Sequence, residues 1–205
     1  MSSHSTTLTT LGTPIVGTPR ERILAAAYEL FSRHGPRAVG IDRVVEYSGV
    51  GKRTVYRHFA SKDDLVLEFL RMREERWTRD WLEREVARRA EQPDERLLAI
   101  FDVFHEWFQR EDLEGCSFVN VLLELDDREN IVRHASVAHL AAIREFLESL
   151  AREAGIANPD DFARRWHILM KGSIVSAQEG DRDAARRAQE IGRVVLERER
   201  MGLLR

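Results

Sequence analysis

The sequence predicts an all-α protein of about nine helices. Apolar residues recur at three- and four-residue spacing along most of the chain, and no stretch alternates apolar and polar residues between hairpin turns. Helix-start signatures stand where the apolar series begin. The first is Thr18-Pro19-Arg20-Glu21, a capping box with proline at the first helical position. Ile23, Leu24, Ala27, Leu30 and Phe31 follow at helical spacing until Gly35-Pro36 stops them. A short second helix is expected over about Ile41 to Tyr47, with Val44 and Val45 inward, and Gly49 breaks it. A third covers about Lys52 to Phe59.

Ser61, with Asp64 three residues on, caps a fourth helix expected to reach Arg89 or Ala90. Its length of about 40–45 Å is enough to belong to two bodies at once. Leu65, Phe69 and Met72 form an apolar stripe, Arg71 to Arg76 is mostly charged, and Trp77, Trp81 and Leu82 open a new apolar patch. After Pro93 comes a helix with Leu97, Phe101, Phe104 and Phe108 on one side. A short helix then covers Phe118 to Leu125, and another runs from about Asn130 to Ala154, closed by Gly155. Asn158-Pro159-Asp160-Asp161 is a cap, a proline and two acids at the positive end of the next helix, expected to run to Glu179. A last helix covers about Asp183 to Glu199.

Composition narrows the class. With 43% hydrophobic and 33% charged residues in 205, the chain is globular, and no apolar run approaches the ~18–20 residues of a membrane helix. Residues 1–17 are rich in Ser and Thr, carry no Lys or Arg, and read as a disordered tail rather than a targeting signal. A single cysteine, Cys116, excludes an internal disulfide framework and suits a reducing cytoplasm. Charge is uneven. Thr18 to Asp64 holds nine Lys/Arg against six Asp/Glu, in a chain of net charge −3. A basic module on an acidic body points to a polyanionic partner for the former.

"SGVGKRTVYRHF", Ser48 to Phe59, carries the chemistry. As a phosphate-cradling loop it fails. Position 46 is Glu where the pattern wants Gly, position 53 is Arg where it wants Ser or Thr, and a helix precedes it instead of a strand. As a helix-turn-helix it passes. Gly49 permits a positive φ in a tight turn, Val50 and Val55 anchor inward, and Lys52, Arg53, Thr54 and Arg57 face outward. Residues at the start of the second helix reach base edges in the major groove, where Lys and Arg suit guanine and the Thr methyl suits thymine. Tyr56 and His58 can donate to phosphates, as can the cations Arg43 and Lys62. The bland counterpart is a basic corner on an ordinary helical bundle.

"VGIDRVVEYSGVGKRTVYRHFASKDDL" resembles the DNA-binding signature of the TetR family of bacterial one-component regulators. The match rests on Gly49, Val50, Thr54, Val55, Tyr56, His58, Phe59, Ser61 and Lys62. Gly51 departs from the serine usual there, and Val45 from the usual alanine. "GCSFVN", the Asn-Pro helix start and "GSIVSAQ" extend the resemblance into the later part of the chain.

The resemblance implies a DNA-binding module over residues 18–64 and an effector-binding and dimerisation part over 65–205, joined by the helix of residues 61–90. It also implies a two-fold dimer built from the last two helices. Two stripes fit that: Trp166, Met170, Ile174 and Ala177 with the small Ser173, and Ala184, Ala188, Ile191 and Val195. The same stripes would equally complete a monomeric core. The helices from Pro93 to Ala154 would enclose a pocket lined by Phe101, Phe104, His105, Phe108, Phe118, Leu122, His139 and Trp166, although aromatics at such spacing also serve as core. His134 and His139, five apart, point to different faces, so no metal site is expected, and no cofactor. Cys116 follows a glycine at a helix start, where a thiolate could be stabilised for redox sensing, but a plain buried thiol is the commoner role of a lone cysteine.

The expected function is a ligand-responsive transcription factor: a homodimeric repressor released from a double-stranded DNA operator by a small, largely apolar or aromatic effector. An activator or ligand-independent regulator is the first alternative, and a helical enzyme or carrier the remote one. No carboxylate pair, triad or metal set supports an enzyme.

Overall fold

A computed structural model describes residues 17–202. The expected tail therefore lies, but for Gly17, outside the described residues. Helix α1 (Pro19–Ala38) starts on the predicted capping box, with both halves formed between Thr18 and Glu21. The Thr18 backbone amide and then its hydroxyl hold the Glu21 carboxyl below the usual range. Gly35, at φ +73°, interrupts the helix, and Pro36 begins one further short turn.

Helices α2 (Ile41–Ser48) and α3 (Lys52–His58) follow, then α4 (Lys62–Arg73), whose Ser61–Asp64 capping box is also complete. The rod continues unbroken as a π-helical segment, Glu74–Glu83, and then as α5 (Arg84–Arg89). Its extent is the predicted one, but the wide i→i+5 winding of its middle left no mark on residue spacing. Four longer helices and one short one complete the chain: α6 (Pro93–Phe108), α7 (Ser117–Glu124), α8 (Ile131–Glu153), α9 (Pro159–Gln178) and α10 (Ala184–Arg200). Counting the rod once, the described residues form nine helices and no strand.

One apolar core runs through the molecule. At the N-terminal end Phe69 of α4 meets Tyr28 and Phe31 of α1 edge-on, at 5.7 and 5.6 Å between ring centroids. In the body, Trp77 and Trp81 of the π segment pack with Phe104 and Trp107 of α6. Gln189 donates to the Leu98 carbonyl at 3.0 Å, and Arg186 pairs with Asp102, which laces α10 to α6. Phe162 stacks on Trp166, whose indole reaches α10 so closely that a Cβ at Gly192 would lie 2.8 Å from it. Only glycine lets the last two helices approach this far.

His167, beside Trp166, is 3% exposed, and its Nδ1 has no protein partner. Burial, with Lys171 and Arg144 nearby, pushes its imidazole down to about 3. The folded chain thus keeps His167 neutral, while the unfolded chain protonates it below 6.5. Stability therefore falls as pH drops through that window, by about 2 kcal/mol between pH 6.5 and 4.5. Urea titrations at both pH values should show His167→Gln losing that share of the acid sensitivity. Equal slopes in the two proteins would rule it out.

Candidate nucleic-acid interface and helical body

The turn between α2 and α3 is pinned from beneath. Gly49 adopts φ +61° and its N–H donates to the Val45 and Glu46 carbonyls. The Ser48 hydroxyl donates to the Val45 carbonyl and accepts the Val50 N–H at 3.3 Å. Arg22, from α1, donates to the Ser48 carbonyl at 2.6 Å, and a Cβ at Gly49 would lie 2.7 Å from its guanidinium. A side chain at position 49 would thus meet both the left-handed backbone and the arginine that holds the turn. Val44 and Val55 are fully buried, Val50 nearly so, and Val45 only partly. Gly51 offers no side-chain cap to α3.

This anchoring turns one face of α3 to solvent. Lys52, Arg53, Tyr56, Arg57 and His58 are exposed, and Thr54 is half-buried. Arg53, Thr54, Tyr56 and Arg57 line one open concavity. Arg43 is exposed on α2 and lies 3.0 Å from the His34 imidazole. Lys52 pairs with Asp42 at 2.7 Å, a hydrogen bond and charge that raise its ammonium above the ordinary range. Lys62 sits apart from the others. It is half-buried in a cleft of about 350 Å³, shared with Pro36, Arg37, Val121, Glu124 and Asp127.

Two of the contacts that tie this basic module to the rest involve the α6–α7 loop and α7, and neither shows as a sequence motif. The Glu124 carboxylate, at the end of α7, accepts the Arg37 N–H at 2.9 Å, and a Cβ at Gly35 would collide with it. Arg73 is buried where the rod changes from α to π winding. It reaches Glu114 of the α6–α7 loop at 3.2 Å and the Tyr28 hydroxyl of α1 at 3.3 Å. Arg73 and Arg76 both lie over the Tyr28 ring. Burial pushes the Glu114 carboxyl up, with Arg73 opposing.

Within the body, Phe101, Phe104, Phe108, Phe118 and Trp166 are buried, while His105, Leu122 and His139 are partly so. His139 has the partner a buried imidazole requires: its Nδ1 pairs with Glu74 on the π segment, and Phe118 stacks on its ring at 5.0 Å. Burial opposes the charge on Glu74, but Arg79 and His139 outweigh it and hold that carboxyl below the usual range. The His105 Nδ1, Thr78 hydroxyl, Ser136 hydroxyl and Trp166 indole N–H are buried without a protein partner. Cys116 stands at the N-cap of α7, and burial pushes its thiol up, opposite to thiolate stabilisation. Among the described residues no group of three or more potential metal ligands gathers.

The single chain divides the expected dimer stripe between covered and open residues. Met170, Ser173, Ile174, Ala177 and Ala188 are 2–6% exposed within the single chain, covered by its own α6, α8 and neighbouring helices, so they have no surface to offer a second copy. Of that set, Ile191 is 52% exposed and Val195 partly buried. The outer faces of α9 and α10 carry Ile168, Val175, Ile191 and Val194, all large, apolar and exposed. Spacing identifies a stripe without saying whether the chain's own helices or a second copy cover it.

The chain matches the model of the bacterial regulatory proteins of the tetR family over residues 23–69, and that of the tetracyclin repressor-like C-terminal domain over residues 93–191. It is 33% identical over 67 residues to the transcriptional regulator QacR of Staphylococcus aureus, covering 33% of this chain and 36% of that protein. It is 26% identical over 139 residues to the transcriptional activator FasR of Mycolicibacterium smegmatis, covering 67% and 61% respectively. The chain thus spans about a third of one relative and about three fifths of the other. Its fold is similar to that of a TetR-family regulator from Streptomyces coelicolor (TM-score 0.77, 24% identity, 87% of this chain and 94% of the other). A regulator structure from Streptomyces avermitilis superposes with TM-score 0.73 at 29% identity, covering 82% and 90%.

Proposed function

This chain belongs to the TetR family of bacterial DNA-binding transcriptional regulators, which are not enzymes, and on that premise we propose that it is a cytoplasmic repressor released from its operator by a small effector. The observation that carries the DNA half is the exposed row Lys52, Arg53, Tyr56, Arg57 on a helix anchored by Val55 and turned outward by Gly49. Arg43 and His58 flank the row and reach phosphates, with Lys62 at the edge of the contact. We divide the chain after residue 64, the rod belonging to both parts.

The effector half rests on the body's interior. Phe101 packs on Trp166 there, and the buried His105 Nδ1 and Trp166 N–H have unspent hydrogen-bonding capacity, which suits a largely apolar or aromatic molecule with a few polar groups. Such a molecule would bind among Phe101, Phe104, Phe108, Phe118, Leu122 and His139 and bias the rod. It must favour the released form by several kcal/mol to clear the operator. FasR, named an activator, matches two thirds of this chain, which keeps activation as the second reading.

Dimerisation completes the proposal. Two chains would meet through the outer faces of α9 and α10, with Ile168, Val175, Ile191 and Val194 at the contact. Ile191→Glu with Val194→Glu should give a monomer by sedimentation velocity while retaining helicity. A dimer that survives both changes would place the interface elsewhere. The function itself is tested by fluorescence anisotropy on DNA from upstream of the gene, across a salt series. Competitor-resistant binding with a steep salt slope, reversed by an effector, is the expected result. Binding indistinguishable from random duplex, there and in a random-library selection, would overturn it.

A further inference from the structure

The pair Asp42–Lys52 has no stability role that would account for it. Both side chains are largely exposed, 81% and 54%, and ion pairs of that kind contribute little. Locally, Lys52 is misplaced: it is the first residue of α3, at the positive end of the helix, and no acid stands in that first turn. Asp42, in the first turn of α2, offsets this from the neighbouring helix. The carboxylate therefore sits beside the base-reading end of α3, where a device for gripping phosphate would carry no negative charge.

We propose that Asp42 and Lys52 act as one unit that reads a single G·C base pair of the operator, Lys52 donating to guanine and Asp42 accepting from cytosine. The major-groove edge of that pair sets two acceptors, guanine N7 and O6, beside one donor, the cytosine N4 amine. An ammonium and a carboxylate 2.7 Å apart match this order. At an A·T pair the adenine amine interrupts the acceptors, and Lys52 loses one of its two partners. On random DNA the carboxylate repels phosphate and holds Lys52 back, so the pair also lowers non-specific affinity. Asp42 is thus a specificity-determining residue.

The inference rests on the DNA-reading interface proposed above. Its test is anisotropy of the full-length wild-type, Asp42→Asn and Lys52→Gln proteins on the selected operator, on a panel with each base pair replaced in turn, and on random duplex. Asp42→Asn is expected to bind random duplex about ten-fold more tightly. It should also lose about ten-fold of discrimination at one G·C pair, and Lys52→Gln should relax that same pair. If Asp42→Asn discriminates like the wild type, or the two variants relax different pairs, the shared reading is wrong while the interface stands. If the wild type itself shows no preference over random duplex, the interface fails and this assignment with it.

Discussion

Arg73→Met is expected to lower the unfolding free energy by about 3 kcal/mol at pH 7.5, the scale of breaking a buried ion pair from one side. The loss comes less from the missing attraction than from the carboxylate left behind. Glu114 is 17% exposed and Arg73 9%, so neither is well solvated, and burial already pushes the Glu114 carboxyl up. Without the arginine that carboxyl rises further. A carboxyl whose folded pKa lies above its unfolded value favours the folded state at low pH and loses that contribution as pH climbs through the folded value. The deficit of Arg73→Met should therefore shrink on moving from pH 7.5 to 5, and adding Glu114→Gln should recover most of it at neutral pH. Urea denaturation of the four proteins closes the cycle. A variant as stable as the parent at pH 7.5, or a double variant no better than the single, would mean that the pair is solvated and incidental.

The second large effect is on binding. Lys52→Ala with Arg53→Ala should weaken operator binding by a hundred-fold or more, about 3 kcal/mol, since each base-edge contact contributes on the order of 1–3 kcal/mol and a two-fold dimer would lose it twice. The salt slope should flatten at the same time if either cation also reaches phosphate. Both side chains are exposed, so the urea midpoint should hardly move. Arg110→Ala, which removes a surface cation paired with Asp112 in the body, is the matched control and should leave DNA binding intact. Equal loss in both proteins would point to a general charge effect rather than a reading helix.

Much of the architecture was legible because it is local. Thr18 with Glu21, Ser61 with Asp64, Asn130 and Asn158 each satisfy amides a few residues away, so the helix starts could be read directly. Gly49 was legible for the same reason: one residue had to take a positive φ, and one type does so freely. What escaped was decided at a distance. Nothing in the run from Arg71 to Arg76 says that Arg73 is the one charged residue to be buried, because its partners are 41 and 45 residues away. The π winding of Glu74–Glu83 leaves no mark on residue spacing, and Asp42 looks like any acid at a helix start until Lys52 is folded against it. The stripes of α9 and α10 were legible as apolar, but only the packed chain shows that Met170, Ile174 and Ala188 are covered by its own helices while Ile168, Ile191 and Val194 are exposed.

The indoles clustered at the rod and α6 have an optical consequence. Trp77, Trp81 and Trp107 lie 5.1–6.2 Å apart at steep angles, and Trp166 is the only other tryptophan. All four lie after residue 64, two of them on the rod, whereas the three tyrosines, Tyr28, Tyr47 and Tyr56, belong to the basic module. The chain is therefore labelled in two colours by its own residues. Red-edge excitation watches the body alone, and the near-ultraviolet circular dichroism of the coupled indoles will register any small shift of the rod against α6. Excitation at shorter wavelength adds the tyrosines, Tyr56 on the reading helix among them, to the signal. Effector titrations can then be followed with no dye attached.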